Sequence, residues 1–525
     1  CMWSRSILMI VGMGAVFAQA QQLPKDGNAV PFDTPNILMI AVDDLKPMLG
    51  CYGGEGMLTP HLDQLEKRGN VFLNNACQQS VCAPSRVSLM TGTYPDTTKV
   101  YDLKTQMREA NPQTLTLPEY LITQGYETTG TGKIYDPRSV DKQYDAASWS
   151  QPFRQYEVGL FFAEEHRKPK GGYHDPEVEK QSRAMKAYLK KNHIEPSQRK
   201  AYQDLLQRFP MAKPLTECLD LPDDAYDDGA FAKSAIQQME TLANGDKPFF
   251  LAVGFKKPHL PFVAPKKYWD LYDRSTIQRA EFQQMPQDAP SFAFQDSWEL
   301  RGSYSNVKLG AIPVEQQREM IHGYRACVSY IDAQVGLVLG KLKELGLEEN
   351  TIIVFWGDHG FHLGDHGMFC KHSNYEQAVR SPLIFSAPGQ KAKGVTTESP
   401  SEFVDIFPTL CELASIPIPA RVEGSSLVPI LDNPNAIVRE SAMEQYPRND
   451  MMGYTLRDKR YRYVKWVENQ YKQGRLHGAT VATELYDYQT DPLETVNQAA
   501  NPEYKAVIEK FEAQFRERGV AQENG

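Results

Sequence analysis

No block of five or more like charges occurs in this sequence, whose formal net charge is -9. The electrostatic footprint of a nucleic-acid binder is missing, which excludes nucleic acid as a partner. An anionic substrate would have to be met by local basic residues. The eight cysteines, at 1, 51, 77, 82, 218, 327, 370 and 411, contain no Cys-x-x-Cys pair and no zinc-like spacing. That pattern excludes a dithiol redox motif and a zinc finger. N-glycosylation sequons are absent too, which fits a bacterial source. Long apolar runs are scarce. The one that stands out, Ile7 to Phe17, is too short to span a bilayer. With Arg5 before it and Ala18-Gln19-Ala20 after it, it reads as a secretory signal over residues 1–20. The expectation is a mature chain from near Gln21, secreted or periplasmic, with no membrane span.

What is present is an ordinary globular composition, 41% hydrophobic and 23% charged, in a chain of 525 residues. That length calls for more than one core or a large α/β domain with an appendage. Asn36 to Val42 is a continuous apolar run that stops at Asp43-Asp44, as a parallel strand buried on both faces would. Two more runs, Phe249 to Phe255 and Thr351 to Trp356, stop just before Lys256-Lys257-Pro258-His259 and Gly357-Asp358-His359. A fourth, shorter strand runs into Gly132-Lys133. Between them lie helix signals: Thr59-Pro60 to Gly69, a capping box of Thr116 and Glu119, and a long amphipathic stretch from Met320 to Leu345.

Strands alternating with helices predict a parallel sheet whose ligands bind outside the carboxyl ends of the strands. Residues 138 to 246 read as a helical and loop insertion. After about Leu431 the pattern shifts to a hairpin turning at Arg457-Asp458-Lys459 and a last helix from Pro502 to Arg518. The expected layout is a catalytic domain over 33–435 and a small C-terminal α+β subdomain over 436–525.

Cys82-Ala83-Pro84-Ser85-Arg86 reads as a loop entering a helix at a permitted first-turn proline. Cys82 would then stand at a helix N-terminus, where free amides and partial positive charge draw anions. Asp43, Asp44 and Asp358 end two separate strands and offer hard oxygen donors, a set suited to calcium or magnesium rather than zinc.

These residues carry a resemblance. Cys82 to Arg86 matches the CxPSR signature of the type I sulfatase family, and Gly132-Lys133, Lys257-Pro258-His259, Gly357-Asp358-His359-Gly360 and Lys371 follow in that family's order. The stretches DDLKPMLGCYG, VCAPSRVSLMTGTYPDTT, PFFLAVGFKKPHLPF and GDHGFHLGDHG are most similar to its iduronate 2-sulfatase branch. The resemblance implies an alkaline-phosphatase-like sulfatase fold, a large mostly parallel sheet flanked by helices. It implies that a maturation enzyme oxidises Cys82 to formylglycine (3-oxoalanine). It also implies that Asp43, Asp44, Asp358, His359 and the modified Cys82 hold one Ca²⁺ or Mg²⁺. The hydrated aldehyde would attack sulfur and later expel sulfate, while Arg86, Lys133, His259 and Lys371 steady the sulfuryl oxygens and His259 protonates the leaving oxygen.

The implied substrate is a sulfated oligosaccharide or polysaccharide, with a 2-O-sulfated uronic acid as the leading candidate. A phosphodiester or phosphonate ester hydrolase of the same fold, or a glycan-binding protein whose Cys82 is never converted, are the alternatives. Many relatives carry a histidine shortly after the equivalent of Lys133, where this chain has Tyr135 and Asp136. Asp136 is therefore a candidate base or a contact to a substrate hydroxyl. His362, Asp365 and His366 could form a second metal site, but a Gly-rich loop is the preferred reading.

Overall fold

The computed structural model describes residues 34–520, apart from 156, 167, 168, 170, 308 and 309. The expected signal segment over 1–20 and the mature start near Gln21 lie outside the described residues. Seven strands form the main sheet: β1 (Asn36–Val42), β2 (Asn70–Phe72), β3 (Glu127–Gly132), β4 (Phe249–Phe255), β5 (Thr351–Gly357), β6 (Leu383–Ser386) and β7 (Val395–Thr397). Their order in space is β7-β2-β6-β5-β1-β4-β3. β3, β4, β1 and β5 are parallel neighbours, whereas β6 runs against both β5 and β2.

Every residue of β1, β4 and β5 is buried, because helices cover both faces. The longer helices are α1 (Pro60–Arg68), α2 (Cys82–Thr91), α3 (Leu117–Thr123), α4 (Pro176–Asn192), α5 (Arg199–Arg208), α6 (Asp227–Leu242), α7 (Val314–Glu344), α8 (Ile406–Leu413) and α9 (Lys505–Glu517). Leu38, Ile40 and Val42 join a core with residues of α1, α6 and α7. Ile37, Met39 and Ala41 point the other way, into a core with residues of α2, α3 and α8. The period-2 alternation of a strand explains why β1 must be apolar throughout.

Some expectations shift in detail. The capping box at Thr116 forms, with Glu119 reciprocating. Thr59 does not cap α1 through its side chain; its hydroxyl instead donates to Asp63 at 3.2 Å and accepts from the Gly50 amide at 2.9 Å. The stretch from 138 to 246 is not wholly an insertion. Its last helix, α6, whose buried residues include Gly229, Ala230, Ala232 and Ala235, packs on β3 and β4 and is the crossover between those strands. Small side chains give a weak amphipathic signal, so the charged flanks dominated the sequence pattern. A short strand, Thr216–Leu219, also lies in this region and pairs in parallel with Phe262–Pro265.

Beyond α8, β8 (Ala442–Arg448), β9 (Met451–Arg457), β10 (Tyr461–Glu468) and β11 (Thr480–Asp487) make an antiparallel sheet in that order. The expected hairpin turns between Arg457 and Tyr461. Phe511 and Phe515 of α9 pack on Tyr463, with ring centroids 5.8 and 6.0 Å apart. Among the described residues no helix is long and apolar enough to cross a membrane.

The register of the main sheet fixes one functional edge. Val42 lies opposite Phe255 on one side and Gly357 on the other, and Gly132 lies opposite Gly254. Residues 43, 133, 256 and 358 therefore leave four parallel strands side by side.

Candidate active site

The ends of β1, β4 and β5 are tied together by backbone amides. The Asp43 amide donates to Phe255 O at 3.1 Å, the Asp358 amide to Val42 O at 3.0 Å, and the Asp44 amide to Asp358 Oδ1 at 2.9 Å. Asp44 adopts φ 58°, a left-handed turn that aspartate tolerates better than most residues. Cys82 is the first residue of α2, and all ten residues of that helix are buried. One turn on, Arg86 shares its helix face. Its Nε donates to Asp358 Oδ2 at 2.9 Å, Nη2 to Asp43 Oδ1 at 3.1 Å, and Nη1 to the carbonyls of Lys133 and Ile134. Burial works against the Arg86 charge, but Asp358 and Asp43 outweigh it and hold the guanidinium protonated. Burial also pushes the Cys82 thiol well above its ordinary pKa, with Asp43 adding to the effect, so the unmodified side chain is a neutral thiol.

Two lysines and a histidine close over the acids. Lys133 Nζ donates to Asp43 Oδ2 at 2.6 Å, and Lys371 Nζ donates to both Asp44 oxygens at 2.9 Å and to Glu299 Oε1 at 2.9 Å. His259 Nε2 sits 3.4 Å from Glu299 Oε1 and 3.9 Å from Asp44 Oδ2, while its Nδ1 contacts Leu260 O at 2.6 Å. Burial disfavours the imidazolium, yet Asp44 and the other nearby acids raise its pKa overall.

Lys133 owes its place to the glycine before it. Gly132 has φ +79°, and a Cβ there would collide with the carbonyl of Gly254 on the neighbouring strand. Gly132→Ala is therefore expected to cost about 2–3 kcal/mol, from left-handed strain plus the clash. Urea unfolding checks this, and an unchanged midpoint would refute the strain argument.

The donors fit a single hard cation. His359 Nε2 lies 3.4 Å from Asp44 Oδ1, 3.5 Å from Asp358 Oδ1 and 3.5 Å from Cys82 Sγ. Ligands at right angles about an ion with bonds near 2.4 Å stand roughly 3.4 Å apart. Three overlapping groups, Asp44-Cys82-His359, Asp43-Cys82-Asp358 and Asp43-Asp44-His259, each keep one potential ligand atom per residue within 4.8 Å. Carboxylates dominate the set, as calcium and magnesium prefer, and one imidazole softens it. His362, Asp365 and His366 do not form such a group among the described residues. His362 bonds Ser373 and His366 bonds Leu493 O, while Asp365 pairs with Lys46.

Cys82, Asp43, Lys133, His259 and Lys371 line one cleft of about 1120 Å³. Asp136 lines it too, but its carboxylate is taken. Arg138 donates to it through Nε and Nη2, both at 2.8 Å, and through its amide at 3.0 Å. Burial raises the Asp136 pKa, but the Arg138 bonds and the Lys133 charge outweigh it, leaving a carboxylate that is a poor proton acceptor. Sequence reasoning missed Glu299, which accepts from Lys371 and faces both His259 and His372, and Tyr446 of β8, whose hydroxyl meets His372 Nδ1 at 2.8 Å. No local motif marks either. Each reaches the cleft from a segment distant in sequence from the motif residues.

Residues 35–416 match the Sulfatase family, and residues 364–521 match the N-sulphoglucosamine sulphohydrolase C-terminal family. The chain is 32% identical to human iduronate 2-sulfatase over 535 residues, covering 89% of this chain and 91% of the human protein. Two solved structures share the fold. BT4656 in complex with its substrate D-glucosamine-2-N,6-O-disulfate superimposes with a TM-score of 0.66 at 20% identity, covering 92% of this chain and 97% of that one. The phosphonate monoester hydrolase of Agrobacterium radiobacter also gives 0.66, at 22% identity, covering 92% and 95%. With an alkaline-phosphatase-like sheet and a family match that runs through β1, α2 and β5, the chain belongs to the sulfatase family and is a sulfatase.

Proposed function

We propose that this sulfatase is exported and hydrolyses an O-sulfate ester on a sulfated oligosaccharide or polysaccharide, with a 2-O-sulfated uronic acid as the first candidate substrate. The observation that carries the reading is the convergence, in one cleft, of Cys82 at the N-terminus of α2 with Lys133, His259 and Lys371 above three buried carboxylates. The uronic acid is suggested by the 32% identity to iduronate 2-sulfatase. Export follows from the secretory-signal reading of residues 1–20.

In this reading residue 82, converted to formylglycine by a maturation enzyme, supplies an oxygen nucleophile from its hydrated aldehyde. Asp43, Asp44, Asp358, His359 and residue 82 would hold one Ca²⁺ or Mg²⁺, which supplies Lewis-acid activation of that oxygen when bound. Lys133 and Lys371, whose ammonium groups lie on Asp43 and Asp44 at the cleft, bind sulfuryl oxygens, where charge develops. Arg86 sits beneath them and orients Asp43 and Asp358. His259, with Nδ1 fixed by Leu260 O, directs Nε2 and its proton toward the leaving oxygen. The buried floor of the site keeps bulk water from the reacting atoms.

Mass spectrometry of the peptide from Asn75 to Arg86, taken from protein exported by its own host, tests the nucleophile. A loss matching thiol to aldehyde is expected; an intact thiol throughout would overturn the hydrolytic reading and favour a glycan-binding protein. Turnover of an aryl sulfate above that of the matching aryl phosphate separates sulfate from phosphorus esters. The reverse order would move the assignment to the phosphonate and phosphodiester hydrolases.

A further inference from the structure

Arg199 and Lys213 are cations that the proposed chemistry does not use, yet both line the cleft that holds Cys82. Arg199 is exposed and Lys213 half-buried, so they stand on the solvent side of that buried floor. Each leans on an aromatic ring. The Arg199 guanidinium lies 4.4 Å from the Trp298 ring and Lys213 Nζ 5.9 Å from the Tyr304 ring. Neither meets a carboxylate among the described residues, in contrast to Arg138, Lys133 and Lys371 in the same cleft. Burial and the nearby Lys186 both push the Lys213 ammonium below its ordinary pKa, with no acid offsetting them. Tyr304 links this wall to the sulfate-binding end: its phenol also feels the charges of Glu299 and Lys371.

A half-buried cation without a counter-charge costs desolvation that an anionic ligand recovers. At about 1120 Å³ the cleft also exceeds the roughly 300–1,000 Å³ of pockets that hold one small ligand, leaving room for more than the sulfated ring. We propose that Arg199 and Lys213 form a second anion subsite, which takes a carboxylate or sulfate of the glycan other than the ester being cleaved. This rests on the sulfated-glycan reading and adds to it a requirement for a polyanionic substrate. Trp298 and Tyr304 hold the two cations in place by cation–π contact and keep them from folding back onto the surface.

The test compares kcat/KM for a 2-O-sulfated uronate disaccharide that carries a further sulfate with kcat/KM for an aryl sulfate whose only charge is the ester being cleaved. In Lys213→Ala and in Arg199→Ala the ratio of the two is expected to fall roughly tenfold each, through KM, and Lys213→Arg is expected to restore most of it. A ratio equal to that of the unaltered protein in both alanine variants would overturn the subsite. Repeating the comparison with the carboxyl-reduced disaccharide and with the disaccharide lacking the further sulfate identifies the group: the one whose removal abolishes the difference between variant and unaltered protein is the ligand. Calorimetric affinity of the same disaccharide for Cys82→Ala protein reads the subsite without turnover. Lys213-dependent affinity together with no sulfate-ester cleavage by the unaltered protein would sink the hydrolytic reading alone. Turnover together with Lys213-independent affinity would sink the subsite alone.

Discussion

Cys82→Ala is expected to lower sulfate-ester turnover by about four orders of magnitude or more, the scale of loss when a covalent nucleophile is removed. The physical case rests on place and on protonation. Cys82 opens α2, where unpaired backbone amides favour negative charge, and lies 3.5 Å from His359 within the acid cluster. Burial and Asp43 keep the thiol neutral, so an unconverted cysteine would be a weak nucleophile here. The substitution removes one sulfur atom from a buried position at the start of α2 and leaves the ion pairs of Arg86 in place, so the fold should survive it. Thermal unfolding of the variant within a few degrees of the unaltered protein, alongside the lost turnover, is the expected pair of results. Turnover within tenfold of the unaltered protein would place the nucleophile elsewhere.

Arg86→Ala should instead act on the fold as strongly as on the chemistry. Arg86 is 0% exposed and satisfies two carboxylates and two carbonyls. Removing one partner of a buried pair leaves uncompensated charge, at a cost of about 3–5 kcal/mol. Here Asp358 suffers most. Burial already raises its pKa, and Arg86 is the first charge opposing that rise. A divalent cation on the same carboxylates would offset part of the loss. The expected result is a large drop in the urea midpoint of Arg86→Ala that added Ca²⁺ partly restores, more than it stabilises the unaltered protein. A midpoint unmoved by the substitution would refute the buried-network argument. A large drop that no divalent cation relieves would refute the metal site at those acids.

Local sequence was informative wherever one segment carried its own reason. Continuous apolar runs ending in Asp43-Asp44, Lys256 and Asp358 marked β1, β4 and β5, because a strand covered on both faces has no polar positions to spare. The Thr116 capping box and the 31-residue amphipathic α7 were legible for the same reason: their hydrogen bonds and apolar stripes are internal to the segment. α6 was not, since small residues such as Ala230, Ala232 and Ala235 give no clear apolar stripe and become core only in the folded protein. Asp136 shows the limit at a single residue. Its position suggested a base, but Arg138, two residues on, folds back and occupies it.

The sequence by itself determined the four parallel strands β1, β3, β4 and β5 and the residue types of the site, since these follow from apolar runs and from polar residues placed at strand ends, but not the short β2 and β7 or the antiparallel β6. Tertiary structure alone decided which charges meet. The parallel register brings Asp43 and Asp358 side by side, and α2 drives Arg86 between them. The loop after β5 returns Lys371 to Asp44, and the C-terminal sheet lends Tyr446 to the cleft wall. Electrostatic partnership falls off with distance in space rather than along the chain, so Glu299 beside Lys371 and Lys213 beside Tyr304 could be recognised only once the chain had folded.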